Sequence, residues 1–152
     1  MAYDNGVVIR RYMSEVWTKG RLDLVDELID PGCLSHDPVS GETRGPEAVK
    51  AEVGEYRKAF PDLRFDVEDL IVSGDRVVTK WTATGTHRGP ILGVPPTGKT
   101  FVIHGISIDR LTNGKITEHS GQWDTLKFFQ NLGLVGTSGK GAGRAGQEAR
   151  PR

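Results

Sequence analysis

Acid and base side chains concentrate in one stretch of this chain. Between Thr100 and Val135, His104, Glu118, His119 and Asp124 lie among apolar residues. Carboxylates and imidazoles in such surroundings are the groups whose proton affinity burial can bring into the working range for proton transfer. Two strand-like runs, Phe101 to Leu111 and Lys115 to Asp124, meet at Asn113-Gly114, a dipeptide suited to tight antiparallel turns because both residues accept positive φ. The register of that hairpin decides the chemistry, since a slip of one residue turns every side chain to the other face. A two-residue loop sets His104 opposite Trp123 and Ile108 opposite His119. A three-residue loop with a glycine bulge sets His104 opposite Gln122 and Ile108 opposite Glu118. The bulged version is preferred, because Ile116, Glu118, Ser120, Gln122 and Asp124 then form one row able to line a polar-tipped cavity. Glu118 and His104 share a face in that arrangement; without the bulge His119 takes Glu118's place. Asp124 stands either at the cavity edge or at the N-cap of a helix over Thr125 to Leu132. Glu118 also has a plain reading as a solvated strand residue.

The elements that must position these groups follow from periodicity. Asp4 or Asn5 caps a helix running to about Lys19, with Val8, Ile9, Tyr12, Met13, Val16 and Trp17 making a broad apolar face. A shorter helix spans Leu22 to Ile29, and Pro31-Gly32 closes it. Cys33 to His36 reads as a short strand leading into a polar loop. His36 and Asp37 are neighbours that point to opposite faces if the strand continues, so a joint role is not expected of them; His36 lies at the rim or in the pocket. Gly45-Pro46-Glu47 opens a third helix, with Pro in the first turn and Glu47 at the positive end of the dipole. Its apolar stripe is Val49, Val53, Tyr56 and Phe60, and Pro61 stops it.

After Pro61 the period changes to two. Leu63 to Ser73 and Arg76 to Thr86 read as strands joined at Gly74-Asp75. The loop His87 to Thr100 holds three glycines and three prolines, but its spacing is not that of a phosphate-binding loop and no strand-to-helix context follows it. It is read as a loop covering the end of a curved sheet. Three helical segments followed by a mainly antiparallel sheet predict an α+β fold, a curved sheet packed around the N-terminal helices as a cone. Residues 1–135 form one domain in this reading, and 136–152, rich in Gly and basic residues, form a disordered tail.

At 152 residues, the chain is long enough to bury a core without metals or disulfides. Twenty basic against twenty acidic side chains leave no broad nucleic-acid footprint. One cysteine, Cys33, rules out an internal disulfide and a thiolate cluster; it reads as a small buried residue. No signal segment or membrane-length apolar run is evident, so a cytoplasmic protein with no membrane partner is expected. His104, Glu118, His119 and Asp124 make no tight metal-ligand motif, so neither a metal nor an organic cofactor is expected.

Three segments together carry a family resemblance: GRLDLVDELIDPGCLSHDP, THRGPILGVPPTGKTFVIHGISIDRLTNGKITEH, and Asp124 to Gly133. Over roughly residues 5–135 the chain resembles the SnoaL-like polyketide cyclases of the NTF2-like superfamily. The resemblance implies cofactor-independent ring closure of an aromatic or polyketide-derived small molecule by intramolecular aldol condensation, in a homodimer. It implies that His104 matches the family histidine and Glu118 the acid/base carboxylate, where Asp is more usual; Ser120 departs from a common Trp. Glu118 is then the proton-transfer group, assisted by His104, with Asp124 as a further catalytic candidate. Tyr12, Trp17, His36, Tyr56, Phe60, Trp81, Ser120, Gln122 and Trp123 are the binding candidates, several of them as flat walls for an aromatic ligand. The same family includes hydroxylases, and a related tailoring enzyme or a non-enzymatic ligand-binding module are the alternatives. For dimerisation, the alternating residues around Thr79 to Ala83 are the surface suggested.

Overall fold

A computed structural model describes residues 3–136. Asp4 caps the first helix, α1 (Asn5–Arg11), its carboxylate accepting from the Val7 amide at 3.1 Å. The helix then widens into a π-wound segment, Tyr12–Thr18. A 3₁₀ turn, Leu22–Leu24, leads into a single α-turn, α2 (Val25–Leu28). The next helix, α3 (Pro46–Ala59), begins on Pro and buries Val49, Val53 and Ala59. A short α4 (Thr125–Asn131) follows the last strand. Among the described residues no helix is long and apolar enough to cross a membrane.

Six strands form one sheet: β1 (Ile29–Asp37), β2 (Gly41–Arg44), β3 (Arg64–Ser73), β4 (Arg76–Thr86), β5 (Thr100–Thr112) and β6 (Lys115–Trp123), in the order β2-β1-β6-β5-β4-β3. Every pairing is antiparallel except that of β1 with β6. The expected α+β architecture, a curved and mainly antiparallel sheet around N-terminal helices, is therefore present. Two differences concern β1, which starts earlier and runs longer than Cys33 to His36, and β2, which occupies part of the presumed loop after it. The Gly-rich basic segment 136–152 lies outside the described residues except for Gly136.

Curvature comes from irregular pairing. The ladder shifts register in β1 before Leu34, in β3 between Val67 and Asp69, and in β6 between Ile116 and Glu118. Each extra residue bends its strand and tightens the twist, so the concave face wraps the helices. One end is filled by Phe60, Phe101 and Phe128, with ring centroids 4.9 to 5.7 Å apart. Arg57 ties the frame together: its guanidinium donates to the carbonyls of Trp17, Pro61 and Leu63. The 87–99 loop is pinned to α3 through Arg88 and Gly89, whose amides donate to the Ala59 carbonyl. Ile91 of this loop is buried while Leu92 is exposed.

On β4, Val77, Thr79, Trp81 and Ala83 are all buried on the concave side. The surface suggested for dimerisation is thus the protein's own interior, because the sheet closes on that parity and leaves Val78, Lys80 and Thr82 facing outward. Trp81 lies flat across the ladder over Gly105, its register partner. A Cβ at Gly105 would stand 2.3 Å from the indole ring.

Gly105→Ala is therefore expected to displace Trp81 and lower stability by roughly 1–3 kcal/mol, the usual penalty of overpacking. Urea denaturation checks this, with a lower midpoint at an unchanged slope.

Candidate active site

Between the sheet and the helices lies a cavity with an empty volume of about 790 Å³, its open mouth included. The sheet side is built in rows set by strand register. Val77, Asp109 and His119 form one row across β4, β5 and β6; Thr79, Ser107 and Gly121 the next; Trp81, Gly105 and Trp123 the third. The π-wound segment supplies Tyr12, Met13 and Trp17 from above, and α3 adds Glu52 and Tyr56. The wider winding of a π segment re-aims side chains and is common at functional sites.

The polar centre is the first row. His119 Nδ1 lies 2.7 Å from Asp109 Oδ1, with 4 per cent of the Asp109 side chain exposed and 29 per cent of the His119 side chain. A carboxylate only accepts, so Nδ1 donates to it and Nε2 is left facing the cavity. Burial by itself pushes the His119 imidazolium toward losing its proton. The Asp109 charge and hydrogen bond, with Glu52 and Asp37 adding, outweigh burial and hold His119 above its ordinary value.

Other groups shape the surroundings. Burial pushes the Tyr12 hydroxyl far above the usual tyrosine range, against a hydrogen bond with Trp17, and the Tyr56 hydroxyl likewise, with the charges of Asp37 and Glu52 adding. Both hydroxyls therefore stay protonated as donors. Glu52 is also raised, first by burial and then by the Asp37 charge, although the Ser40 hydroxyl donates to it. Asp37 accepts from Trp123 Nε1 at 2.9 Å and from the amides of Val39 and Ser40. Cys33 is buried, and desolvation pushes its thiol up, away from a reactive thiolate.

The register of β5 with β6 is neither of the two expected. The turn at Asn113-Gly114 has two residues, with Thr112 opposite Lys115, but a bulge at Thr117 comes next and shifts the ladder the other way. Ile108 consequently faces Ser120, and Asp109 faces His119. The predicted row is split: Ile116 is buried, while Glu118, Ser120 and Gln122 point to the outer face. His104 is on that outer face too, with 60 per cent of its side chain exposed, next to Thr82 at 3.0 Å and Glu68 at 3.8 Å. His36 is also outside, 3.7 Å from Glu118 and 3.6 Å from Glu42. Asp124 caps α4, accepting from the Lys127 amide at 2.9 Å. Phe60 is completely buried in the aromatic cluster and does not line the cavity. Tyr12, Trp17, Tyr56, Trp81 and Trp123 do line it.

Asp109, Glu52, Asp37 and Ser107 are cavity groups that reasoning from sequence did not select. For Asp109 a signal existed: it is in phase with Phe101 and Ile103, a carboxylate on the apolar parity of its strand. Among the described residues no group of three or more His, Cys, Asp or Glu side chains is arranged to hold a metal ion.

A family model for SnoaL-like polyketide cyclase matches residues 7–132. Aklanonic acid methyl ester cyclase DnrD of Streptomyces peucetius is 34% identical over 129 residues, covering 81% of this chain and 87% of that protein. Nogalonic acid methyl ester cyclase of Streptomyces nogalater is 30% identical over 123 residues, covering 80% and 92%. The crystal structure of a candidate SnoaL-like polyketide cyclase from Jannaschia sp. CCS1 superposes with a TM-score of 0.78 at 29% identity, over 84% of this chain and 90% of that one.

The raised proton affinity of His119 has a definite sign. Its charge pairing with Asp109 stabilises the fold fully below the unfolded value near 6.5 and is lost as pH rises through the higher folded value. An NMR titration is expected to place His119 above 6.5 in the wild type and to bring it down in Asp109→Asn, where burial acts unopposed by that charge. A wild-type imidazole titrating below 6.5 would contradict the pairing.

Proposed function

Since the chain belongs to the SnoaL-like polyketide cyclase family, we propose that it closes a ring in a polyketide-derived aromatic ester by intramolecular aldol condensation, with His119 as the acid/base. The observation carrying this reading is the His119–Asp109 pair, 2.7 Å apart, opening into a cavity walled by aromatic rings. No Lys or Arg lines that cavity among the described residues. A flat, uncharged substrate suits it, in keeping with the methyl esters named for the two relatives.

Neutral His119 Nε2 takes a proton from the activated carbon, and the electron pair of the broken C–H bond spreads onto the adjacent carbonyl oxygen. The enolate carbon then attacks the ketone carbon. A C–C bond forms, the C=O π bond breaks, and its pair becomes an alkoxide. His119 returns the proton to that oxygen, so the product is an isomer of the substrate and the balance requires no cofactor. Asp109 keeps the imidazole in the Nδ1–H form and stabilises the imidazolium between the two transfers, the part a buried carboxylate plays beside a catalytic histidine. The Tyr12 and Tyr56 hydroxyls, held protonated, are donors for substrate oxygens. Glu118 and His104 take no part here, because both side chains are on the far side of the sheet.

The outer face supports the dimer. Val102, Ile106 and Ile108 on β5 are 47, 51 and 47 per cent exposed, and a second copy of the chain covers them, with His104, Glu118, Ser120 and Gln122 among its contacts.

With aklanonic acid methyl ester as substrate, His119→Ala is expected to cut kcat by about 10²–10⁴-fold, the contribution of a general base, while Glu118→Gln retains wild-type turnover. The wild-type rate should rise with pH through the raised His119 value, as the neutral base accumulates. Full activity of His119→Ala, or loss of it in Glu118→Gln, would refute the assignment; product labelled from ¹⁸O₂ would indicate hydroxylation instead of ring closure. In sedimentation the chain should run at twice its 16.6 kDa mass and Ile106→Lys as a monomer.

A further inference from the structure

The row beside the His119–Asp109 pair contains a notch. Ser107 and Gly121 are register partners on β5 and β6, and Gly121 presents no side chain to the cavity. A methyl group built there would stand 3.2 Å from His119 Nε2 and 3.7 Å from Ser107 Oγ. The empty position is therefore within reach of a base on one side and a hydroxyl on the other, the arrangement in which a reacting atom can be served by both.

Ser107 is prepared as a donor. It is 5 per cent exposed, and its Oγ accepts a hydrogen bond from Trp81 Nε1 at 2.9 Å. That contact occupies an oxygen lone pair and leaves the hydroxyl proton without an acceptor among the described residues. Donation from the indole polarises the hydroxyl further. The indole itself is held flat because Gly105 beneath it has no Cβ. Across the ladder, Thr79 is fully buried and its Oγ1 has no partner among the described residues, so two hydroxyls on the cavity floor stand with unused hydrogen-bonding capacity beside the notch.

We propose that Ser107 is a catalytic residue that donates a hydrogen bond to the substrate oxygen gaining negative charge, and that the notch above Gly121 seats the reacting atoms between Ser107 and His119. The proposal rests on the ring-closing reading. It adds the group that stabilises the oxyanion once His119 has taken the carbon-bound proton; electrons move from the C–H bond to oxygen, and Ser107 keeps its own proton throughout.

Two measurements on full-length protein test it. With aklanonic acid methyl ester, Ser107→Ala should lower kcat on the order of 100-fold and change KM less than about threefold, since the donor acts on charge that only the transition state carries. Trp81→Phe, which keeps a ring but removes the indole N–H, should fall between Ser107→Ala and wild type. Alizarin serves as the second probe, its phenolate followed by absorbance. Wild type should favour the bound phenolate, Ser107→Ala should raise the bound dye's pKa by about one unit, a tenfold change, and Gly121→Ala should weaken its binding by filling the notch. Wild-type kcat in Ser107→Ala overturns the proposal. If the wild type does not turn over the ester, the ring-closing reading fails by itself, and an alizarin pKa unchanged by Ser107→Ala then overturns the Ser107 assignment independently.

Discussion

A single extra residue in β6 governs what the cavity contains. Without the bulge at Thr117, strict alternation from the buried Ile116 would turn Glu118 inward and His119 out to solvent. With it, Ile116 and His119 both point inward, three positions apart, and Asp109 gains its register partner. Thr117 stabilises the irregularity by donating its hydroxyl to the Arg110 carbonyl at 3.2 Å. The coupling is energetic as well as geometric. A carboxylate as buried as Asp109 is tolerated only with a charged or strongly donating partner, and the bulge delivers that partner.

The rest of the site restrains this pair. Trp81 spans the ladder because Gly105 makes room for it, and its indole N–H is spent on Ser107 rather than left unpaired. Trp123 spends its own N–H on Asp37, which joins the end of β1 to the cavity wall. Two large rings are thereby fixed by both packing and hydrogen bonding, and they present flat faces to the space between them. The apolar walls also act on the titratable groups. They drive the two tyrosines and Glu52 toward their neutral forms, whereas His119 is driven toward its charged form, because the carboxylate beside it outweighs desolvation.

The two faces of the sheet divide the polar residues by purpose. Inside, each acid has a partner that fixes its direction. Outside, His36, His104, Glu42, Glu68 and Glu118 form loose pairs at 3.6 to 3.8 Å between exposed side chains, contacts that contribute little to stability in water. Histidine–carboxylate pairs thus occur on both faces, and burial together with the 2.7 Å contact distinguishes the inner one.

Local composition determined much of this protein. Asp4 and Pro46 mark helix starts, Pro61 and Gly74 mark the ends of elements, and the alternation on β4 and β5 separates an inward from an outward parity, because capping, ring closure in proline and the two-residue strand repeat are short-range effects. The aromatic walls were also legible in part, since Trp17, Tyr56 and Trp81 are in phase with neighbouring apolar residues, whereas Trp123 reaches the face of Ile116 only through the bulge. Asp124 carried both a cap and a pocket reading, and the α4 geometry selected the cap. Tertiary structure alone decided which histidine and which carboxylate meet in the cavity. Asn113-Gly114 specifies a turn but not the pairing of the strand beyond it, and β6 has to pair with β5 on one side and with the parallel strand β1 on the other. That three-strand constraint is non-local, so the change of face that turns His119 inward and Glu118 outward is not dictated by the local sequence of β6.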